Sequence, residues 1–174
     1  MAWWKDFAAT LQSFGTILFA VLGGAWAYWK FGLGQERYPH IETSADVVFI
    51  GQHGAYWIVE LVAYVENKGK AQHRMAKFDF DLSAIEKQDD LIDAEEFGGQ
   101  VLFPHPIIKA GSFLADFDYF VIDGGVKSKY SYVTKVSKSS EFLIFHYWFE
   151  YGDKRKFSHA AERTVAVPSS TIQA

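Results

Sequence analysis

Two different apolar periods divide the chain. No charged residue occurs between Asp6 and Lys30. The uncharged run, Phe7 to Trp29, spans some 23 residues and predicts a helix of roughly 34 Å at ~1.5 Å per residue, enough for a hydrocarbon core of ~30 Å. Trp3 and Trp4 flank one end; Trp26, Tyr28 and Trp29 flank the other, with Phe31 just beyond. Amphipathic rings at both ends of an apolar run are the pattern of a bilayer span, because such rings tolerate the headgroup level. The expectation is one transmembrane helix within residues 1–30. Ala25-Trp26-Ala27 suggests a cleaved signal peptide instead, but Lys5 is offset by Asp6 and the run is long for one. A buried core helix would show a polar face, and Gln12 is the only strongly polar side chain in the run.

Beyond Trp29 the period changes to two. Gly32, Gly34 and Pro39 break any helix, so residues 31–40 read as a juxtamembrane linker. Trp57, Val59, Leu61, Ala63 and Val65 then alternate with Tyr56, Ile58, Glu60, Val62, Tyr64 and Glu66, a strand with one fully apolar face. Asn67-Lys68-Gly69-Lys70 supplies a turn, and Phe78, Phe80 and Leu82 against Asp79 and Asp81 resume the alternation over 75–82. Further strands are expected near 43–51, 101–108, 114–122, 128–137, 141–151 and 156–167. Ser83 to Gln100 is acidic and lacks alternation, which reads as a loop. Some eight strands at roughly ten-residue spacing, without recurring helices, predict a mainly β fold, an antiparallel sandwich over 41–168 with a tail at 169–174.

Val65-Glu66-Asn67-Lys68-Gly69, Asp123-Gly124-Gly125, Tyr130-Ser131-Tyr132 and the long aromatic strand Phe142 to Tyr151 follow one another in a familiar order. Over about residues 40–168 the chain resembles membrane-tethered immunoglobulin-like domains of uncharacterised bacterial proteins, in which an Asn-x-Gly turn follows an early strand. The resemblance implies an immunoglobulin-like sandwich on a single-pass anchor, placed at the bacterial inner membrane, and it brings no catalytic residues with it.

Composition narrows the chemistry. The 174 residues are 18% aromatic and contain no Cys, which removes disorder, disulfides, zinc-thiolate sites and thiol catalysis. A net charge of −4 lacks the basic footprint of a general nucleic-acid binder. The charge is uneven: residues 77–123 hold mostly carboxylates and residues 127–163 mostly Lys and Arg. Segregated strands would give an acidic and a basic side suited to docking, whereas interleaved strands would average them out.

Three candidate sites remain. Ala9, Ser13, Thr16, Ala20, Gly23 and Ala27 are spaced 4-3-4-3-4, a seam of small residues opposite the bulky Phe7, Leu11, Phe14, Leu18 and Val21. Small residues let helix backbones approach closely, so the seam is the candidate packing face, and Trp3, Trp4, Trp26, Tyr28 and Trp29 are the candidate interface anchors. Asp79-Phe80-Asp81 and Asp116-Phe117-Asp118 each place two carboxylates on one strand face, a possible source of Ca²⁺ oxygens beside the simpler role of a solvated edge. In 142–151, Phe145, Tyr147 and Phe149 share one face, and Ile144, His146, Trp148 and Glu150 the other. That second face is too apolar for plain solvent. None of the six His has metal-ligand spacing, and no nucleophile elbow, P-loop or dinucleotide fingerprint occurs.

The expectation is a non-enzymatic accessory subunit of a larger membrane complex. It would need no cofactor and contact other membrane subunits or a second copy, and lipid, but not nucleic acid. The alternative is a membrane-tethered sandwich that binds a ligand or Ca²⁺.

Overall fold

The computed structural model describes residues 2–33, 39–94, 98–115, 117–152 and 157–169; side chains of residues 2–6, 8–11, 13, 31–33 and 94 lie outside the described set. The chain forms two compact units, Met1–Pro39 and His40–Ala174.

In the first unit, α1 (Ala2–Ala27) runs into a π-helical turn, Tyr28–Leu33. Lys30 Nζ sits 4.6 Å above the Trp26 ring. The transmembrane helix expected within 1–30 is not found: among the described residues no helix is long and apolar enough to cross a membrane. The position of the apolar residues explains this. The first turns carry Lys5, Asp6, Thr10, Gln12 and Ser13. After Gln12 and Ser13 the apolar stretch Phe14 to Ala27 covers some 14 residues, roughly 21 Å of helix against ~30 Å of hydrocarbon. Gly15, Thr16, Gly23 and Gly24 dilute it further. The single-pass inner-membrane placement falls with the span.

The second unit is an antiparallel β-sandwich. One sheet has the order β1 (Ile41–His53), β2 (Tyr56–Asn67), β8 (Lys127–Ser137). The other has the order β10 (Phe157–Ala166), β9 (Ser140–Tyr151), β3 (His73–Glu86), β6 (His105–Ser112). β7 (Tyr119–Ile122) shares the β6 side of β3, pairing with His73 to Ala76 while β6 pairs with Asp79 to Ala84. Two-residue strands β4 (Asp93–Ala94) and β5 (Gln100–Val101) pair with each other.

Three boundaries differ from the alternation. β3 continues to Glu86 because Ala84 and Ile85 are both buried, and a bulge between Ile85 and Glu86 hides the period of two. The strand expected at 101–108 lies at 105–112, and the one at 114–122 shrinks to 119–122. The charge halves interleave in part: β9, from the basic half, pairs directly with acidic β3, while β8 belongs to the opposite sheet.

The core is aromatic. Met75 and Phe78 both point inward although three apart, which an unbroken strand forbids. A register shift between Ala76 and Asp79, with Lys77 at φ 51°, changes the parity. Phe78 then meets Phe113, Phe120, Tyr130, Tyr147 and Phe149, with centroids 4.9–5.6 Å apart. Gly111 is required beside Phe80, since a Cβ there would lie 2.5 Å from Phe80 Cζ.

Two polar devices fasten this core. The buried Asn67 donates from Nδ2 to the carbonyls of Ala71 (2.7 Å) and Ile122 (3.3 Å) and accepts at Oδ1 from Gly69 N (3.0 Å). Its backbone is bonded to Val126 O (2.9 Å) and Gly125 N (2.7 Å). The Asn-x-Gly turn and the Gly124-Gly125 turn, far apart in sequence, are thus one joint. Tyr147 crosses between sheets: its hydroxyl reaches the carbonyls of Ser44 and Tyr64, each at 3.0 Å, and Thr43 Oγ1. Burial raises its pKa.

Candidate interaction surface

On α1 the large apolar side chains stand in solvent. Phe14 is 71% and Phe19 77% exposed, and Ile17, Leu18, Val21 and Leu22 are exposed as well. At ~100° per residue, the five such positions between 17 and 22 spread over an arc of about 200°, more than half of the helix, and the small residues Ala20, Gly23 and Ala27 occupy the rest. Of the proposed seam, Thr16, Ala20 and Gly23 are exposed and Ala27 is half-buried; the side chains of Ala9 and Ser13 lie outside the described set. Thr16 Oγ1 donates back to Gln12 O (2.9 Å), which satisfies the hydroxyl within the helix. Thr16, Ala20 and Gly23 therefore differ from the bulky residues in size, not in exposure. Trp26, Tyr28 and Trp29 are exposed around the α1 end, and the side chains of Trp3 and Trp4 are outside the described set.

The two Asp-Phe-Asp triplets have different settings. Phe80 is buried, and Asp79 and Asp81 point to the outer face, where Asp81 Oδ1 accepts from Ala110 N (2.8 Å). Phe117 is 74% exposed, Asp118 is exposed and Asp116 lies outside the described residues. Among the described residues no three His, Asp or Glu side chains gather as metal ligands.

Three of the six histidines, His73, His105 and His159, serve packing and loop closure. His105 Nε2 lies 2.9 Å from Asp89 and holds the turn after β3 to the start of β6. The hydrogen bond to Asp89 raises the His105 pKa. Tyr151 Oη is 3.0 Å from His159 Nε2, and His73 meets the same ring edge-on at 6.0 Å. Burial lowers the pKa of both His73 and His159. Neither contact was legible in sequence, because the three residues belong to β3, β9 and β10.

A small polar cavity of about 120 Å³ lies on the outside of the three-stranded sheet, lined by Glu42, Thr43, Ser44, Tyr64, Glu66 and Lys127. Glu42 and Glu66 face each other in register, an arrangement that costs stability unless cations intervene. Lys68 pairs with Glu42, and Lys127 sits opposite Glu66 on β8. The cavity is a charge-balanced sheet surface.

No family model and no curated protein matches the sequence. Three solved structures are similar in shape. A structural-genomics target designated SoR45 is 13% identical, with 77% of this chain and 92% of that chain covered and a TM-score of 0.47. A protein of Bordetella pertussis with the provisional name ApaA is 10% identical, with 76% and 97% covered and a TM-score of 0.49. The sporulation control protein Spo0M of Bacillus subtilis is 12% identical, with 72% and 48% covered and a TM-score of 0.37. At these scores the likeness carries no argument about function.

Proposed function

We propose that the chain is a non-enzymatic assembly subunit: α1 docks among helices of partner subunits or of a second copy, and the sandwich is the module it brings to the assembly. The supporting observation is the exposure of Phe14, Ile17, Leu18, Phe19, Val21 and Leu22 over an arc of about 200° of the helix. Burying one such side chain is worth about 1.5–3 kcal/mol, so six of them make a strong drive toward a protein cover. A helix that carries large apolar side chains over more than half of its circumference ordinarily turns that side toward other structure. The strand order β1-β2-β8 against β10-β9-β3 supports the immunoglobulin-like reading of the module.

Sedimentation velocity of the full-length chain tests this. The expected species is heavier than the 19.8 kDa monomer and loses mass in the double variant Leu18→Asp, Val21→Asp. A monomer at micromolar concentration, unchanged by that variant and without co-purifying subunits, contradicts it.

A further inference from the structure

β9 gives its inner residues to the core and leaves a second set on the outside of the five-stranded sheet. There, His146 and Trp148 are half-buried and stack on each other, with centroids 5.2 Å apart and planes at 26°. The strand registers fix their neighbours. Asp81 on β3 and Glu162 on β10 lie directly opposite His146, one on each side. Asp79 and Ala160 lie directly opposite Trp148 in the same way. Directly opposite residues in a sheet share a face, and adjacent strands are ~4.8 Å apart. Two aromatic rings are therefore bordered by carboxylates on both flanking strands, and the methyl group of Ala160 leaves the β10 side of Trp148 open. Lys77 neutralises Glu150 at one end of this face (2.9 Å). Among the described residues no Lys or Arg side chain pairs with Asp79, Asp81 or Glu162.

We propose that this face docks an extended segment of a partner protein through an arginine laid on the Trp148–His146 stack. The chemistry selects arginine. A guanidinium is planar, stacks on an indole, and carries a fork of N–H donors that reach carboxylates on either side at once. An ammonium is a compact point charge that matches the carboxylates but not the ring plane. The surrounding Ile144, Ser83 and Thr164 are small or apolar, and occupy the next row across the same three strands. A central Trp within such a rim is the usual build of an interface anchor. The proposal is independent of α1 and stands or falls without it.

The test uses the full-length chain at ~0.15 M salt and a fluorescein-labelled hexa-arginine peptide, with hexa-lysine and hexa-glutamate peptides as comparisons, read by fluorescence anisotropy. Saturable hexa-arginine binding is expected, several-fold tighter than hexa-lysine and with no binding of hexa-glutamate. Trp148→Ala should weaken it by about tenfold or more, and Trp148→Phe by much less. The double variant Asp79→Asn, Glu162→Gln, whose fold is checked by circular dichroism, should weaken it even where Trp148→Ala fails to fold. Absence of saturable binding overturns the proposal. So does equal affinity for hexa-lysine, or undiminished binding to a folded Trp148→Ala variant.

Discussion

Strand β9 and helix α1 are both rich in large apolar side chains, yet they dispose of them in opposite ways. In β9 the residues Leu143, Phe145, Tyr147 and Phe149 are fully buried, because the period of two sends alternate side chains into the layer between the sheets. In α1 the residues Phe14, Ile17, Leu18, Phe19, Val21 and Leu22 are exposed, and the period of ~3.6 spreads them over an arc of about 200°. Apolar content alone does not decide what a segment packs against; its period does. The sandwich buries its large apolar residues in its own core, whereas the helix leaves its own exposed, the surface on which the proposed assembly rests.

The sharpest way to break this contrast is to damage each region separately. Phe78→Ala removes the ring that five other rings touch and should cost about 3–5 kcal/mol, seen as a large fall in the denaturation midpoint of the full chain. Leu18→Asp in α1 should instead leave that midpoint nearly unchanged and alter only the assembly mass. Asn67→Ala should cost about 2–3 kcal/mol, because it strands the carbonyls of Ala71 and Ile122 and the Gly69 amide. Tyr147→Phe keeps the packing and deletes only the hydroxyl between the sheets, for a loss of about 1–2 kcal/mol.

The smallest effect expected is on pH dependence. Burial lowers the folded-state pKa of His73 and His159 below the ordinary 6.5. As pH falls through 6.5 the unfolded chain takes up protons before the folded one, so stability drops toward acid. His105 has the opposite sign, since its pKa is raised, but it is exposed and solvent screens it. The melting temperature should therefore fall between pH 7.5 and 5.5, and the double variant His73→Phe, His159→Phe should flatten that fall.

Most of the sandwich was legible from alternation. The strand 56–66 appears as Tyr56–Asn67 and 141–151 as Ser140–Tyr151, because unbroken β strands expose their parity in the sequence. The failures sit at bulges, where parity is reset: Met75 with Phe78, and Ile85 with Glu86. The Asn67 turn was legible as a turn, but not its joint with Gly125, which depends on tertiary approach. The helix was legible as a helix and misread as a span. A charge-free run measures how long the polar backbone can hide, not how apolar the run is, and Gln12, Ser13, Thr16 and the glycines weigh against it. The outer face of β9 was visible as too apolar for solvent. Its carboxylate borders appeared only with the registers to β3 and β10.

The most direct test of the central contrast is the mass of the full-length chain in solution, compared between wild type and Leu18→Asp, Val21→Asp at equal thermal stability. An assembly that dissociates in the variant while its melting temperature stays put is the predicted result. A wild-type chain that remains at 19.8 kDa, alone and well behaved with its helix exposed, would contradict it.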